Sequence, residues 1–220
     1  INFCNKKLMN KISIKFILLL FFLNSCAGMP KYSSIPVNPN DVCDIFSQKT
    51  HWYFHSKKSE EKWGTPVHVQ MAIIHGESGF NFIARPGRKT LLNNNKPYKS
   101  LSSAFGYAQV LDGTWKMYKK ETGKKIAIRN SFKDSTDFIG WYTSKSNSIL
   151  KISQKDVYNQ YLAYHQGWGG YKKGVKKQAI KNYAQRVSKQ ATKYKSQLND
   201  CRTNLEEKVK KIKTDNEKKT

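Results

Sequence analysis

Among the fifteen carboxylates of this 220-residue chain, Glu77 is the one placed where a carboxyl could carry proton-transfer chemistry. It follows the most apolar helical stretch of the sequence, in which Val67, Met71 and Ile74 recur at i, i+4 and i+7. Gly76 precedes it, and the small pair Ser78 and Gly79 follows. Residues 85–100 are then polar and rich in turn-formers, so Glu77 stands where a buried segment meets a long loop. A carboxyl held against apolar surroundings resists ionisation, keeps its proton towards neutral pH and can donate it to a leaving oxygen, as glycosidic cleavage requires. On position alone, the competing reading is an exposed glutamate after a helix end. Most other carboxylates have blander places: Glu60, Glu61, Glu206 and Glu207 lie in charged runs, and Asp112 and Asp156 stand at helix starts.

Other chemistries find less support. His51, His55, His68, His75 and His165 form no zinc-ligand spacing, and the i, i+4 pair His51 and His55 lacks the intervening glutamate of a metalloprotease helix. Neither a metal nor an organic cofactor is expected. No serine or cysteine lies in a nucleophile motif.

The elements that must position Glu77 read as helices. Residues 41–63, stopped by Gly64, form a first helix; Thr65 and Pro66 cap the next, which runs into Glu77. Short helices follow over 113–121, with Asp112 as N-cap, over 138–150, and from a capping-box-like start at Ser153 to Tyr164. After Gly167, Gly169 and Gly170, a stripe of Ile180, Tyr183, Val187, Ala191, Tyr194 and Leu198 marks a final amphipathic helix. No strand alternation is evident, and the fold class is mainly α. Residues 203–220 are almost wholly charged and are expected to be disordered apart from a frayed helical extension.

The first segment reads as a signal rather than as fold. Lys11 and Lys15 precede the apolar run 16–23, too short to span a bilayer, and Met9 is taken as the start. Leu23, Asn24, Ser25 and Cys26 resemble a bacterial lipobox, which makes 1–25 a signal peptide, Cys26 a lipidation site and 26–40 a tether to the folded domain at 41–202. Ala27 carries no retention signal, so the expected location is the periplasmic side of the envelope, at the outer membrane. Cys43 and Cys201 are then the two cysteines left to pair, in an oxidising compartment. The net charge of +25 falls to about +21 once Lys6, Lys7, Lys11 and Lys15 leave with the leader. Export and the lack of zinc-finger, helix-turn-helix or RNP-like patterns argue against nucleic acid and leave anionic wall, anionic lipid, or a simply solvated surface.

Two motifs add to Glu77 and Ser78. Gly106, Tyr107, Ala108 and Gln109 follow the polar loop, and Ala163 and Tyr164 lie near the end of a helix. In this order the three resemble the core motifs of the soluble lytic transglycosylase (SLT) domain, a relative of goose-type lysozyme, over about residues 41–201. The likeness is closest to a lipoprotein branch with a cysteine at each end of the domain, matched here by Met71 to Ile74, Phe138 to Tyr142 and Ala163 to Gly167. Tyr107 and Ala108 replace the Leu-Met of the wider family, and Gln166 stands where the branch has glutamate.

The resemblance implies a single lysozyme-like domain, monomeric, acting on peptidoglycan glycan strands. Glu77 would be acid and base, with Ser78, Tyr107, Gln109, Tyr164 and His165 at the substrate, Tyr164 hydrogen-bonding near the glutamate. Tyr107 and Tyr164 as core or wall aromatics, and His165 as a structural histidine, are the alternatives. The implied reaction cleaves the bond between N-acetylmuramic acid and N-acetylglucosamine with formation of a 1,6-anhydromuramyl end, using one carboxylate where most glycosidases use two. A hydrolytic muramidase with Asp112 or Asp137 as partner, and a non-catalytic peptidoglycan-binding lipoprotein, are the rival readings.

Overall fold

A computed structural model describes residues 35–86 and 102–217. The leader, Cys26, most of the tether and residues 87–101 of the polar loop lie outside the described residues, as does everything expected of them. Among the described residues the secondary structure is helical, with a single isolated bridge between Phe105 and Val110. The mainly α expectation holds.

The helices are α1 (Val42–Gln48), α2 (Thr50–Trp63), α3 (Val67–Ser78), α4 (Asp112–Thr122), α5 (Phe132–Leu150), α6 (Val157–Lys172) and α7 (Gln178–Glu217). The centre is α3. Val67, Val69, Gln70, Met71, Ala72, Ile73 and Ile74 are all buried, so the helix is enclosed on every side, as an all-round apolar sequence requires. Helix α2 packs against α5, while α7 runs along both α3 and α6. The polar side chain in the middle of α3, Gln70, is half satisfied: its Nε2 donates to the carbonyls of Ser56 (3.0 Å) and Thr65 (2.7 Å), while its buried Oε1 has no partner among the described residues.

Several boundaries differ from the sequence reading for local reasons. The first helix is two, because the chain breaks at Lys49 between α1 and α2. Thr65 does not cap α3; its hydroxyl is buried against Thr143 Oγ1 (2.5 Å), and Pro66 occupies the N-cap position. Asp112 lies in the first turn of α4 rather than at its cap, and α5 begins at Phe132, capped by the Ser131 hydroxyl. The helix expected to start at Ser153 begins instead at Val157 as α6, because Asp156 is its cap and accepts from the Asn159 N–H.

Cys43 and Cys201 are joined as a disulfide across a sequence separation of 158, which ties α1 to α7. In the loop-entropy account such a bridge stabilises by about 5 kcal/mol through the unfolded chain. The C-terminal segment is a correction. Helix α7 does not fray at residue 203 but continues to Glu217, and Leu205 (3% exposed) and Val209 (6%) belong to the core. The charged composition hid two apolar positions four apart, which place one stripe on the domain. Leu205→Ala is therefore expected to lower the free energy of unfolding by about 2–4 kcal/mol in urea titration, whereas a disordered tail would leave it unchanged.

Candidate active site

Glu77 sits in the last turn of α3, where the apolar helix reaches the wall of a cavity of about 440 Å³. Gln109 and Val110 contribute to the same wall, as do Phe138 and Tyr142 from α5 and Tyr164, His165 and Gln166 from α6. Glu77 Oε1 is buried and has no hydrogen-bond partner among the described residues. Burial pushes the carboxyl up to about 7, opposed by the Tyr161 hydroxyl, which favours the charged form. The C-terminal end of the α3 dipole, where Glu77 lies, also disfavours a negative charge.

Three tyrosines surround this carboxyl. The phenols of Tyr161, Tyr164 and Tyr183 are all raised, by burial first and then by the nearness of Glu77. Tyr183 reaches in from α7 and donates to the Gly76 carbonyl at 2.5 Å. Helix α7 comes this close because residue 76 has no side chain: a Cβ there would stand 2.8 Å from Val187 Cγ2. The carboxyl thus keeps its proton well above the usual carboxylate range, with its charged form partly supported by a phenol.

The family model described as a transglycosylase SLT domain matches residues 14–201. The chain belongs to the transglycosylase SLT domain family. No curated protein matches it. Lytic transglycosylase action on peptidoglycan is the general activity of such domains, and peptidoglycan is the substrate class that the family implies for this chain.

In this SLT domain the Gly106 to Gln109 turn is built from the outside. Gly106 has φ 77°, and a Cβ there would lie 2.1 Å from the Arg129 carbonyl oxygen, so both conformation and space demand glycine. Arg129 in turn donates from Nη1 to the carbonyls of Ser103 (2.7 Å) and Val110 (3.0 Å), and its Nη2 pairs with Asp112 Oδ1 at 2.7 Å. One guanidinium thus holds both ends of the motif. Gln109, itself at φ 46°, donates from Nε2 to the carbonyls of Ala84 and Gly106, both at 2.8 Å.

The expected site residues separate into two groups. Glu77, Gln109, Tyr164 and His165 come together around the cavity. Tyr164 donates to the Ala108 carbonyl at 2.6 Å rather than to the glutamate, and so ties α6 to the Gly106 to Gln109 turn. Tyr107 does not reach the cavity: it is 2% exposed and packs edge-on against the stacked pair of Trp52 and Phe132, with ring centroids 5.6 and 5.4 Å away. Its part is core packing, a correction that follows from the turn lying against the core, where Tyr107 and Ala108 are both buried. The Ser78 hydroxyl donates to the Ile74 carbonyl (3.2 Å) within its own helix and is not on the cavity wall. Tyr161 and Tyr183 were missed. Tyr161 precedes Tyr164 by three residues on one helix face, which was the available signal; nothing in sequence brings Tyr183 to Gly76.

Gly106→Ala is expected to destabilise the domain by several kcal/mol, or to displace the turn, because both the left-handed φ and the Arg129 carbonyl oppose a side chain. Thermal unfolding together with loss of glycan-cleaving activity would report it.

Proposed function

We propose that Glu77 protonates the glycosidic oxygen between N-acetylmuramic acid and N-acetylglucosamine, and that the carboxylate so formed then accepts a proton from the muramyl C6 hydroxyl. As O6 closes onto C1, the C1–O4 bond breaks and a 1,6-anhydromuramyl end forms. The proton returns to Glu77 and no water is consumed. Burial holds the acid form ready, and the Tyr161 hydrogen bond supports the carboxylate once its proton has left. Gln109, Tyr164 and His165 would bind the strand along the wall, in the service of cell-wall remodelling.

The observation that carries this reading is the lack, among the described residues, of a second carboxyl on the cavity wall beside Glu77. Residues 62–111, which include the whole polar loop, contain no other Asp or Glu. The two aspartates that could serve a hydrolase are engaged elsewhere. Asp112 pairs with Arg129, and Asp137 accepts from Trp63 Nε1 (3.1 Å) and the Tyr118 hydroxyl (2.6 Å) and pairs with Lys124 at 2.8 Å. Neither aspartate lines the cavity that Glu77 reaches, where the water-activating base of an inverting glycosidase would have to stand.

We also infer that the enzyme is held by lipid on Cys26 at the periplasmic side of the outer membrane, supported by the basic start, the apolar run and the lipobox-like residues 23–26.

Digestion of purified peptidoglycan tests the chemistry. Mass analysis of the muropeptides is expected to show anhydro ends with the wild type and none with Glu77→Gln, a loss of at least about a hundredfold in rate. Hydrated reducing ends would instead identify a muramidase, and inactivity of both proteins a binding role. The pH profile gives a second test. Because the acid form must donate, kcat/KM is expected to fall as pH rises through about 7. Tyr161→Phe removes the hydrogen bond that favours the charged form, so its falling limb should lie at higher pH than that of the wild type.

A further inference from the structure

The loop between α4 and α5 carries an arrangement that neither the cleft nor the core uses. Ala127 is buried, and on either side of it Ile126 (94% exposed) and Ile128 (56%) project outward. Single exposed apolar residues are ordinary on protein surfaces. Two branched ones flanking a buried alanine at a loop tip, set among cations, are a different matter. Residues 116–133 contain seven basic side chains and one acidic one, and the acid, Glu121, is paired with Lys145 at 3.1 Å.

Beside this tip lies a second cavity, of about 480 Å³, away from Glu77. Its wall includes His55, Lys58, Lys62, Lys124 and Lys133, with Glu61 and Asp137 as its two acids against four lysines. Asp137 at its edge engages Lys124 at 2.8 Å and Lys62 at 3.6 Å, while no ion pair among the described residues holds Lys58 or Lys133. The cations converge closely enough that Lys133 and Lys58 add to burial and His51 in holding His55 down to about 4.

We propose that the α4–α5 loop and this lysine-lined cavity form a peripheral docking surface for an anionic phospholipid bilayer, Ile126 and Ile128 entering the headgroup boundary and the lysines meeting lipid phosphates. The chemistry selects a bilayer because two kinds of group must be matched at once. An anionic polymer satisfies the lysines but offers no apolar phase to the isoleucines, whereas an anionic membrane supplies both. Among the described residues no helix is long and apolar enough to cross a membrane, so the contact is a surface one. Arg129 follows directly on Ile128 and is the residue that braces the Gly106 to Gln109 turn, so the docked loop is continuous with the wall of the cleft.

Amide hydrogen exchange on the full chain, with phosphatidylcholine vesicles and with vesicles containing phosphatidylglycerol, tests this locally and independently of any attached lipid. The expected result is slower exchange across residues 123–130 with anionic vesicles only, reversed in about 1 M salt, where the Debye length is about 3 Å. Ile126→Asp with Ile128→Asp should abolish that protection while leaving the unfolding midpoint unchanged, since both side chains are exposed. Lys133→Ala should weaken binding to anionic vesicles about fivefold. Protection that is absent, equal on both vesicle types, or retained in the double aspartate variant would overturn the proposal, as would protection of the loop by self-association without vesicles.

Discussion

The structure turns on the burial of one helix. Helix α3 is apolar on every face, so it is stable only if α2, α5 and α7 enclose it, and the last of these can close only over a residue with no side chain at position 76. The residue after that contact is Glu77. Its desolvation accompanies completion of the core: the Tyr183 hydrogen bond to Gly76 and the Val187 side chain close over the end of α3, and the carboxyl of the next residue has one oxygen buried. A charged form penalised at this point costs folding stability at neutral pH, which the enclosing helices and the Cys43–Cys201 bridge offset.

A second dependence runs through Arg129. Buried or half-buried carbonyls need donors, and the turn that carries Gln109 has too little regular structure to supply its own. The guanidinium provides two donors to carbonyls of residues 103 and 110 and a charge partner to Asp112, which starts α4. Tyr164 donates to the turn from the opposite side, at Ala108. The Gly106 to Gln109 motif is thus held between a loop and a helix that are distant in sequence, and its residues serve first to fix backbone positions. That explains why Gln109 spends both its observed donor contacts on carbonyls and why Tyr107 turns into the core.

Periodicity and capping made the helices legible, and three motifs in order made the family legible. The boundaries that failed were those decided by tertiary contacts: Thr65 looks like a cap until Thr143 claims its hydroxyl, and residues 203–217 look solvated until Leu205 and Val209 find the core. The same distinction applies at the site. Glu77, Gln109, Tyr164 and His165 could be named because each belongs to a local motif. Tyr183 could not, because its role is created by a hydrogen bond between α7 and α3 across 107 residues of sequence. Nor does sequence show that Asp137, a plausible partner carboxylate by type, is committed to Tyr118, Trp63 and Lys124.

That commitment bears on mechanism. A two-carboxylate glycosidase keeps its acid and its second carboxylate on opposite sides of one bond, about 5–5.5 Å apart for retention and about 6.5–9.5 Å for inversion. Here residues 62–111 contain no acid besides Glu77, and among the described residues the cavity wall holds no second carboxylate to take up either spacing. With one carboxyl, the group that gives the proton must also take one back, and the requirement falls on its pKa: too low and it cannot donate, too high and it cannot accept. Burial alone would push Glu77 towards the second failure, and the Tyr161 hydroxyl pulls against it. The opposition of those two effects, rather than either by itself, is what makes a single glutamate sufficient for the proposed cycle.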